Sequence, residues 1–256
     1  MTALQRITYI GHASLLLELA GLRLMTDPIL RQRILHLGRR NIPILEQWLH
    51  KIDAVLISHL HHDHLDFPSL RRLGPDVELI VPRGAGILLQ RNGFRHVTEI
   101  ASGAQLQLGP LTLTAVHAEH SGQRNPFGAE AEAVGYLIED ESSGPLPCIY
   151  FAGDTDLYGD MSDLAGMVDI GLIPVWGWGP TLGAGHMDPF RAAEAVKLIR
   201  PRVAIPIHWG TLFPITVDLI TTTFLTDPPL QFRKFVNTLA PRVDVRVLEP
   251  GQHWEF

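Results

Sequence analysis

Hydrophobic residues along this 256-residue chain fall mostly into short blocks bounded by glycine, proline or charged residues. Blocks of roughly four to eight apolar or alternating residues are typical of β-strands. The dipeptide Ala20-Gly21 predicts a tight hairpin between two of them. The pattern predicts strands over residues 6–10, 14–19, 22–26, 53–58, 78–81, 105–108, 111–116, 133–139, 147–152, 169–173, 202–207 and 243–248.

Segments in which apolar residues recur at helical spacing lie between several of these strands. This spacing predicts helices over residues 69–73, 85–92 and 189–199, and another that starts at Asp227-Pro228 and runs to 239. Asp188 is the expected N-cap of the third helix, with Pro189 in its first turn. Hairpin-linked strands followed by strands mixed with helices indicate two sheets packed face to face with helices outside. The predicted fold class is therefore α/β, an αββα sandwich.

The run His59-Leu60-His61-His62-Asp63-His64 directly follows the strand predicted at 53–58. His59 and His61 alternate on one side of an extended chain, so both can reach one metal ion. Asp63 and His64 come after a turn and can serve a second ion nearby. Imidazole and carboxylate ligands suit zinc or another first-row divalent ion.

Three later predicted strands also end on residues that can bind metal. The strand at 111–116 leads to His117 and His120, the strand at 147–152 to Asp154, and the strand at 202–207 to His208. Loops carried by a rigid scaffold are common positions for chemistry. The missing ligands of the histidine run are expected here.

These residues resemble the metallo-β-lactamase-fold hydrolases. Within that superfamily the chain is similar to the branch of N-acyl-phosphatidylethanolamine-hydrolysing phospholipase D and the L-ascorbate-6-phosphate lactonases. The resemblance covers about residue 9 to about residue 211 and is far more specific for fold and metal site than for substrate. The matching stretches are Ile10 to Ser14, Leu24 to Pro28, His59 to Asp66, His120, Gly153 to Thr155, His186 to Pro189 and His208 to Thr211.

The resemblance implies a two-metal site and assigns its ligands. His59, His61 and His120 would hold the first ion, and Asp63, His64 and His208 the second. Asp154 would bridge the two. His120 is preferred to His117 because it precedes Ser121-Gly122-Gln123-Arg124, although relatives often carry Trp where Ser121 stands. The expected cofactors are two divalent ions, zinc or alternatively manganese.

Several residues near the proposed site need individual interpretation. Asp27 either forms a turn or orients a metal-bound histidine, and Asp66 is explained as a helix N-cap. His12 is expected at the rim of the site, and His62 is expected to point away from the metals. Residues 28–50, with Arg31, Arg33, Arg39 and Arg40, form either a connector, a subunit contact or a lid.

Substrate contacts are predicted on the glycine-rich segment 176–185 and beyond it. Trp176 and Trp178 would form a pocket wall or lid, or else pack in a buried turn. His186 would contact substrate or protonate the leaving group. Arg124 would clamp a phosphate or carboxylate, or else form an ordinary surface ion pair.

Composition limits the remaining possibilities. A site assembled from both halves of the chain favours a single domain over residues 1–256, and 46% hydrophobic residues suffice for a large core. A net charge of −6 argues against broad nucleic-acid binding. No secretory signal or membrane-spanning segment is evident, which favours a cytoplasmic protein. Cys148 is the single cysteine, in an apolar strand, so a buried unreactive thiol is expected.

These features predict a hydrolase in which a hydroxide bridging two metals attacks the substrate. Asp63, Asp154 and His186 are the candidate catalytic residues, acting on a small and anionic substrate. A phosphodiester is the leading substrate, and a sugar lactone or ester is the alternative. A metal-binding protein without turnover is a third hypothesis, which the seven-ligand set argues against. Homo-oligomers remain possible.

Overall fold

The fold is built from two large β-sheets, as the computed structural model shows for residues 5–40, 43–126, 128–140, 147–215 and 222–256. The strands of this part of the chain are β1 (Arg6–Gly11), β2 (Ser14–Leu19), β3 (Leu22–Thr26), β4 (Arg33–Ile34), β5 (Leu37–Arg39), β6 (Ala54–Leu56), β7 (Glu78–Pro82), β8 (Val97–Ile100), β9 (Gln105–Leu108), β10 (Leu111–His117), β11 (Val134–Asp140), β12 (Ile149–Phe151), β13 (Ile170–Pro174), β14 (Val203–Ile207), β15 (Leu212–Pro214), β16 (Asp244–Val245) and β17 (His253–Glu255). Its helices are α1 (Phe67–Leu73), α2 (Gly86–Arg91), α3 (Pro189–Ile199), α4 (Thr223–Leu239) and the short 3₁₀ helices Glu46–Trp48 and Gly159–Leu164.

Each large sheet combines an antiparallel part with a parallel part. The first has the order β17-β1-β2-β3-β6-β7-β8, and the second β16-β14-β13-β12-β11-β10-β9. Strands β3, β6, β7 and β8 run parallel, as do β12, β13, β14 and β16. A third, small sheet of order β15-β5-β4 joins residues from both halves of the chain.

Alternation along β2 shows how the layers are stacked. Leu15 and Leu17 lie in the main core, which contains residues from both large sheets and from α3 and α4. Leu16 lies in a second core with Leu70 of α1 and Leu89 of α2. Successive side chains of a strand face opposite sides of its sheet. The first sheet is therefore covered by the second sheet on one face and by α1 and α2 on the other, and the expected αββα sandwich is confirmed.

Helix α3 begins as its sequence predicts. The Asp188 carboxylate accepts hydrogen bonds from the backbone N–H groups of Phe190 (2.9 Å) and Arg191 (2.8 Å), and Pro189 opens the first turn. These two hydrogen bonds satisfy backbone N–H groups that would otherwise have no partner at the start of a helix. Asp66 caps α1 in the same way by accepting from Ser69 N–H at 3.0 Å.

The predicted start of the last helix is wrong. Helix α4 begins at Thr223, and Pro228 and Pro229 lie inside it instead of opening it. Phe224 and Leu225 are buried with Phe213, so tertiary packing stabilises the preceding turn despite the prolines. The strand predicted at 243–248 is also shorter, because only Asp244–Val245 pairs with β14.

Cys148 precedes β12 and is buried. Burial, with smaller contributions from Glu139 and Asp169, raises the pKa of its thiol to about 12. The thiolate is the reactive form of cysteine, so the structure agrees with the expected unreactive thiol. No described helix is long and apolar enough to cross a membrane.

Leu17→Ala should destabilise the fold by about 2–5 kcal/mol, because it leaves a cavity between the sheets. Leu17 is 0% exposed. Urea unfolding followed by circular dichroism, with chelator present, measures the loss. Leu230→Ala is the matched control, since Leu230 lies on α4 with 51% exposure and should change stability by less than about 0.5 kcal/mol. Equal effects of the two substitutions would contradict the layer arrangement.

Candidate metal centre

The loop after β6 carries the histidine run into the end of the sandwich. Leu60 and Leu65 anchor it by packing into the second core. Arg124 holds it from outside, because its Nη1 donates to the carbonyl oxygens of Leu60 (2.7 Å) and Leu65 (3.0 Å). Its guanidinium also lies 4.7 Å from the centre of the Phe67 ring. The histidines are thus presented on a loop with little freedom.

Three imidazole nitrogens, from His59, His61 and His120, lie close together beside this loop. His61 Nδ1 lies 3.0 Å from His59 Nε2 and 3.1 Å from His120 Nε2. Such nitrogens gain little from facing one another unless a cation shares their lone pairs. His117, the alternative to His120, instead lies 57% exposed beside Glu119.

A second group of donors adjoins the first. His64 Nε2 lies 3.1 Å from His208 Nε2 and 3.8 Å from the Oδ2 atom of Asp63. The ring of His12 is close to both histidines, and its Nε2 is 3.0 Å from Asp63 Oδ2. The donor atoms of these four residues lie within 4.8 Å of one another.

Asp154 stands between the two groups. Its Oδ2 is 3.1 Å from His64 Nε2, and its Oδ1 is 3.1 Å from His208 Nε2. Together with His120 and His186 it also forms a third possible donor set. The Oδ1 atom is buried, and because His208 donates from Nδ1 to Trp176 O, its Nε2 offers Oδ1 a lone pair and no hydrogen bond. A buried carboxylate oxygen without a hydrogen bond is costly unless a cation is bound.

The nitrogens that face away from the centre are held by acceptors. An N–H at Nδ1 leaves the Nε2 lone pair of the same ring for a metal. The pairs are His59 Nδ1 with Ser58 Oγ (2.9 Å), His64 Nδ1 with Asp27 Oδ2 (2.7 Å), His120 Nδ1 with Gly185 O (2.6 Å) and His208 Nδ1 with Trp176 O (2.8 Å). This pattern fits metal ligands whose orientation is set in advance.

Asp27 supports both groups at once. It accepts from His64 directly, and its two oxygens accept from the backbone N–H (2.8 Å) and hydroxyl (2.6 Å) of Ser58. Ser58 in turn contacts His59. Of the two interpretations of Asp27, the orienting one matches the geometry. Ser58 received no role from the sequence, although a hydroxyl directly before the histidine run is a usable signal.

Three residues of this site have a left-handed backbone. His12, Asp27 and His208 have φ values of 61°, 34° and 63°, a region that few non-glycine residues adopt, although Asn, Asp and His adopt it more often than most. Gly153 has φ 63°, and a Cβ there would lie 2.5 Å from Ser58 Cβ. Strain of this kind clusters at functional sites, where the surroundings enforce it.

Electrostatics at the centre favour a cation. Burial lowers the pKa of His59 and His61, and that of His120 to about 4, so these rings are neutral donors at pH 7. Burial opposes charge on His64, but Asp154, Asp63 and Asp27 raise its pKa well above the ordinary value. Burial raises the pKa of Asp154, yet His208 and His64 hold it well below the usual range. Neutral imidazoles beside ionised carboxylates suit divalent metals, and the negative charge that holds a proton on His64 can hold a cation in its place.

His186 reaches the edge of this centre from the glycine-rich segment. Its Nδ1 contacts Ala184 O at 3.0 Å, and its Nε2 lies 3.3 Å from Asp154 Oδ2. Burial lowers its pKa, but the hydrogen bond and charge of Asp154 outweigh this and raise it to about 9. Trp176 is half-buried with its Nε1 donating to Gly179 O at 2.9 Å. Trp178 packs against β4 and β5 and contacts the His36 ring edge-on.

The expected rim position of His12 is wrong, because the residue is 1% exposed. Burial lowers its pKa to about 3, so the ring is neutral. Arg124 is half-buried, and the structure directs it at loop carbonyls and His62 Nδ1 (3.2 Å). His62 points away from both donor groups, toward Asn125. Arg39 is buried rather than solvated, and it donates to the backbone oxygens of Ile10 and Ile29.

Residues 23–209 match the model of the family described as the beta-lactamase superfamily domain. The chain belongs to the beta-lactamase superfamily. Over 97% of both chains it is 31% identical to a UPF0173 metal-dependent hydrolase of Koribacter versatilis, which places it among the UPF0173 metal-dependent hydrolases. The resemblance seen in the sequence is thereby confirmed.

Two further likenesses are weaker. The chain is 27% identical to N-acyl-phosphatidylethanolamine-hydrolyzing phospholipase D 1 of Caenorhabditis elegans, over 97% of this chain and 75% of that one. The solved structure of a metallo hydrolase from Ignicoccus hospitalis matches with a TM-score of 0.74, 24% identity and 99% coverage of both chains. The second likeness supports the fold alone.

Asp27→Asn should weaken metal binding by about 10- to 100-fold, because the amide no longer accepts from both His64 and Ser58. A competition titration with a chromogenic chelator measures the affinity, and circular dichroism reports the fold. Asp76→Asn is the control, since Asp76 pairs with Arg95 at the surface. Unchanged affinity in Asp27→Asn would contradict the shared support described for this carboxylate.

Proposed function

We propose that this chain binds two divalent metal ions, zinc or manganese, and hydrolyses small anionic phosphodiesters. The observation that carries the proposal is the arrangement of donors as two adjacent groups with one shared carboxylate. A structural zinc site closes its coordination with four ligands. Seven donors, Asp154 and the six residues around it, instead suit a pair of ions with positions left for substrate.

The residues divide between the ions as the geometry suggests. His59, His61 and His120 would hold one ion, and Asp63, His64 and His208 the other, with Asp154 between them. Two divalent cations bound there would supply Lewis-acid activation of water and of the scissile bond. Nearly complete burial of His59, His64 and Asp154 excludes bulk water and strengthens every charge interaction with the substrate.

His186 is the proposed proton donor to the leaving group. It is half-buried, so its ring faces both the centre and the solvent-accessible side. The contact with Ala184 O orients the ring, and the contact with Asp154 favours its protonated form. General acids positioned this way assist departure of a poor leaving group.

A cleft beside His120 has a volume of about 650 Å³, enough for a small substrate. Glu130 and Glu132 on its walls disfavour an anionic group there, so the phosphodiester itself would lie at the metal ions. A phosphodiester is supported by the Caenorhabditis elegans relative, whose name is that of a phospholipase D. Another cleft of about 550 Å³, lined by Asp169, Arg202 and Trp254, lies at the opposite end of the strands and far from the donors.

The direct test compares initial rates on bis(p-nitrophenyl) phosphate and on a simple lactone, with zinc- or manganese-loaded protein. We expect the phosphodiester to be preferred. Asp154→Asn should lower its turnover by about 10²-fold or more, since the shared carboxylate is lost, while circular dichroism stays unchanged. A preference for the lactone, or full activity of Asp154→Asn, would contradict the proposal.

His186→Gln separates proton donation from other roles. For a phosphodiester with an alkyl alcohol as leaving group, kcat should fall by about 10²- to 10⁴-fold, because no acid protonates the alkoxide. For p-nitrophenolate, a good leaving group, the loss should be much smaller. The number of bound metal ions should be the same as in the wild type. The control variant is His253→Gln on β17. An equal loss on both substrates would rule out the proton-donor role.

A further inference from the structure

His12 lies in the turn between β1 and β2, at the end of the sandwich that carries the metal centre. Its backbone has φ 61°, and its side chain is 1% exposed. A buried histidine with a strained backbone persists only where its surroundings determine both features. Those surroundings are the second donor group.

The backbone of His12 joins this turn to the loop after β14. Its N–H donates to Thr211 Oγ1 at 2.9 Å, and its carbonyl accepts from His208 N–H at 2.8 Å. Gly11 allows the approach, since a Cβ at that position would lie 2.4 Å from Thr211 Oγ1. The strained turn therefore fixes the position of the His208 backbone.

The side chain of His12 contacts the three other members of the same group. Its Nε2 lies 3.0 Å from Asp63 Oδ2, and its ring centre lies 3.9 Å from that of His208 and 5.2 Å from that of His64. An ionised carboxylate can only accept a hydrogen bond, so the histidine N–H is at Nε2. A nitrogen that carries this proton has no lone pair for a metal ion.

We infer that His12 is a positioning residue of the second metal site, which holds Asp63 through its Nε2–H and supports the ring and backbone of His208. The inference rests on the proposed two-ion site. The partners that orient ligands contribute strongly to metal affinity. His12 acts on the second ion alone, because none of its contacts described here reaches His59, His61 or His120.

A pair of variants isolates the hydrogen bond. His12→Gln keeps an N–H donor at similar reach, whereas His12→Phe keeps a flat ring of similar size without a donor. Gln and Phe are disfavoured to a similar extent by the positive φ at this position, so a difference between the two variants reports the side-chain donor. His12→Asn tolerates that φ better but is too short to reach Asp63, and it replaces the Phe variant if that protein does not fold.

The measurement is the number of zinc ions bound and the Kd of each, by competition with a chromogenic chelator, with circular dichroism as the fold control. In His12→Phe and His12→Asn one of the two Kd values should rise by about 10- to 100-fold, and the other should be unaffected. His12→Gln should bind both ions nearly as wild type does.

Three results would overturn the inference: wild-type affinity for both ions in His12→Phe, an equal loss in His12→Gln and His12→Phe, or weakening of both ions together. The second result would mean that the imidazole itself binds the metal. A wild-type protein that binds a single zinc ion would instead contradict the proposed function, which keeps the two failures distinguishable.

Discussion

The structure depends on the burial of several carboxylates and imidazoles around one point, the Asp154 side chain. An ionised carboxylate removed from water is costly unless opposite charge and hydrogen bonds compensate for it. Asp27, Asp63 and Asp154 surround His64 and raise its pKa, and the same negative charge attracts divalent cations. The sandwich brings these groups together because they follow five strands, β3, β6, β10, β12 and β14, whose ends meet at the same end of the fold.

Rigid support explains how the donors keep their positions. Asp27 reaches His64 directly and His59 through Ser58, so one carboxylate orients ligands of both groups. His208 is held through its ring by Trp176 O and through its backbone by His12 O. These contacts join loops from both large sheets. Metal affinity is therefore a property of the packed sandwich, and the strained turns at His12, Asp27 and His208 depend on that packing.

Local signals explain what the sequence could predict. The histidine run lies within six residues, and Asp188-Pro189 is a helix start whose partners are two and three residues away. The errors come from distant contacts. The backbone N–H of His12 donates to Thr211, 199 residues further along the chain, and no local pattern predicts this contact. The start of α4 depends on packing against Phe213, which outweighs the local preference of Asp227-Pro228.

The glycine-rich segment beside the metal centre is in contact with the residues that support Asp27. Trp178 of the glycine-rich segment packs on Ile34 and Leu37 of the β4–β5 hairpin and on Ile29. Ile29 follows Asp27 by two residues, and its N–H donates to Ser14 Oγ, which also contacts Asp27 O. A substitution in the hairpin or the glycine-rich segment that displaces Ile29 is therefore expected to displace Asp27 as well, and with it the support of His64 and His59.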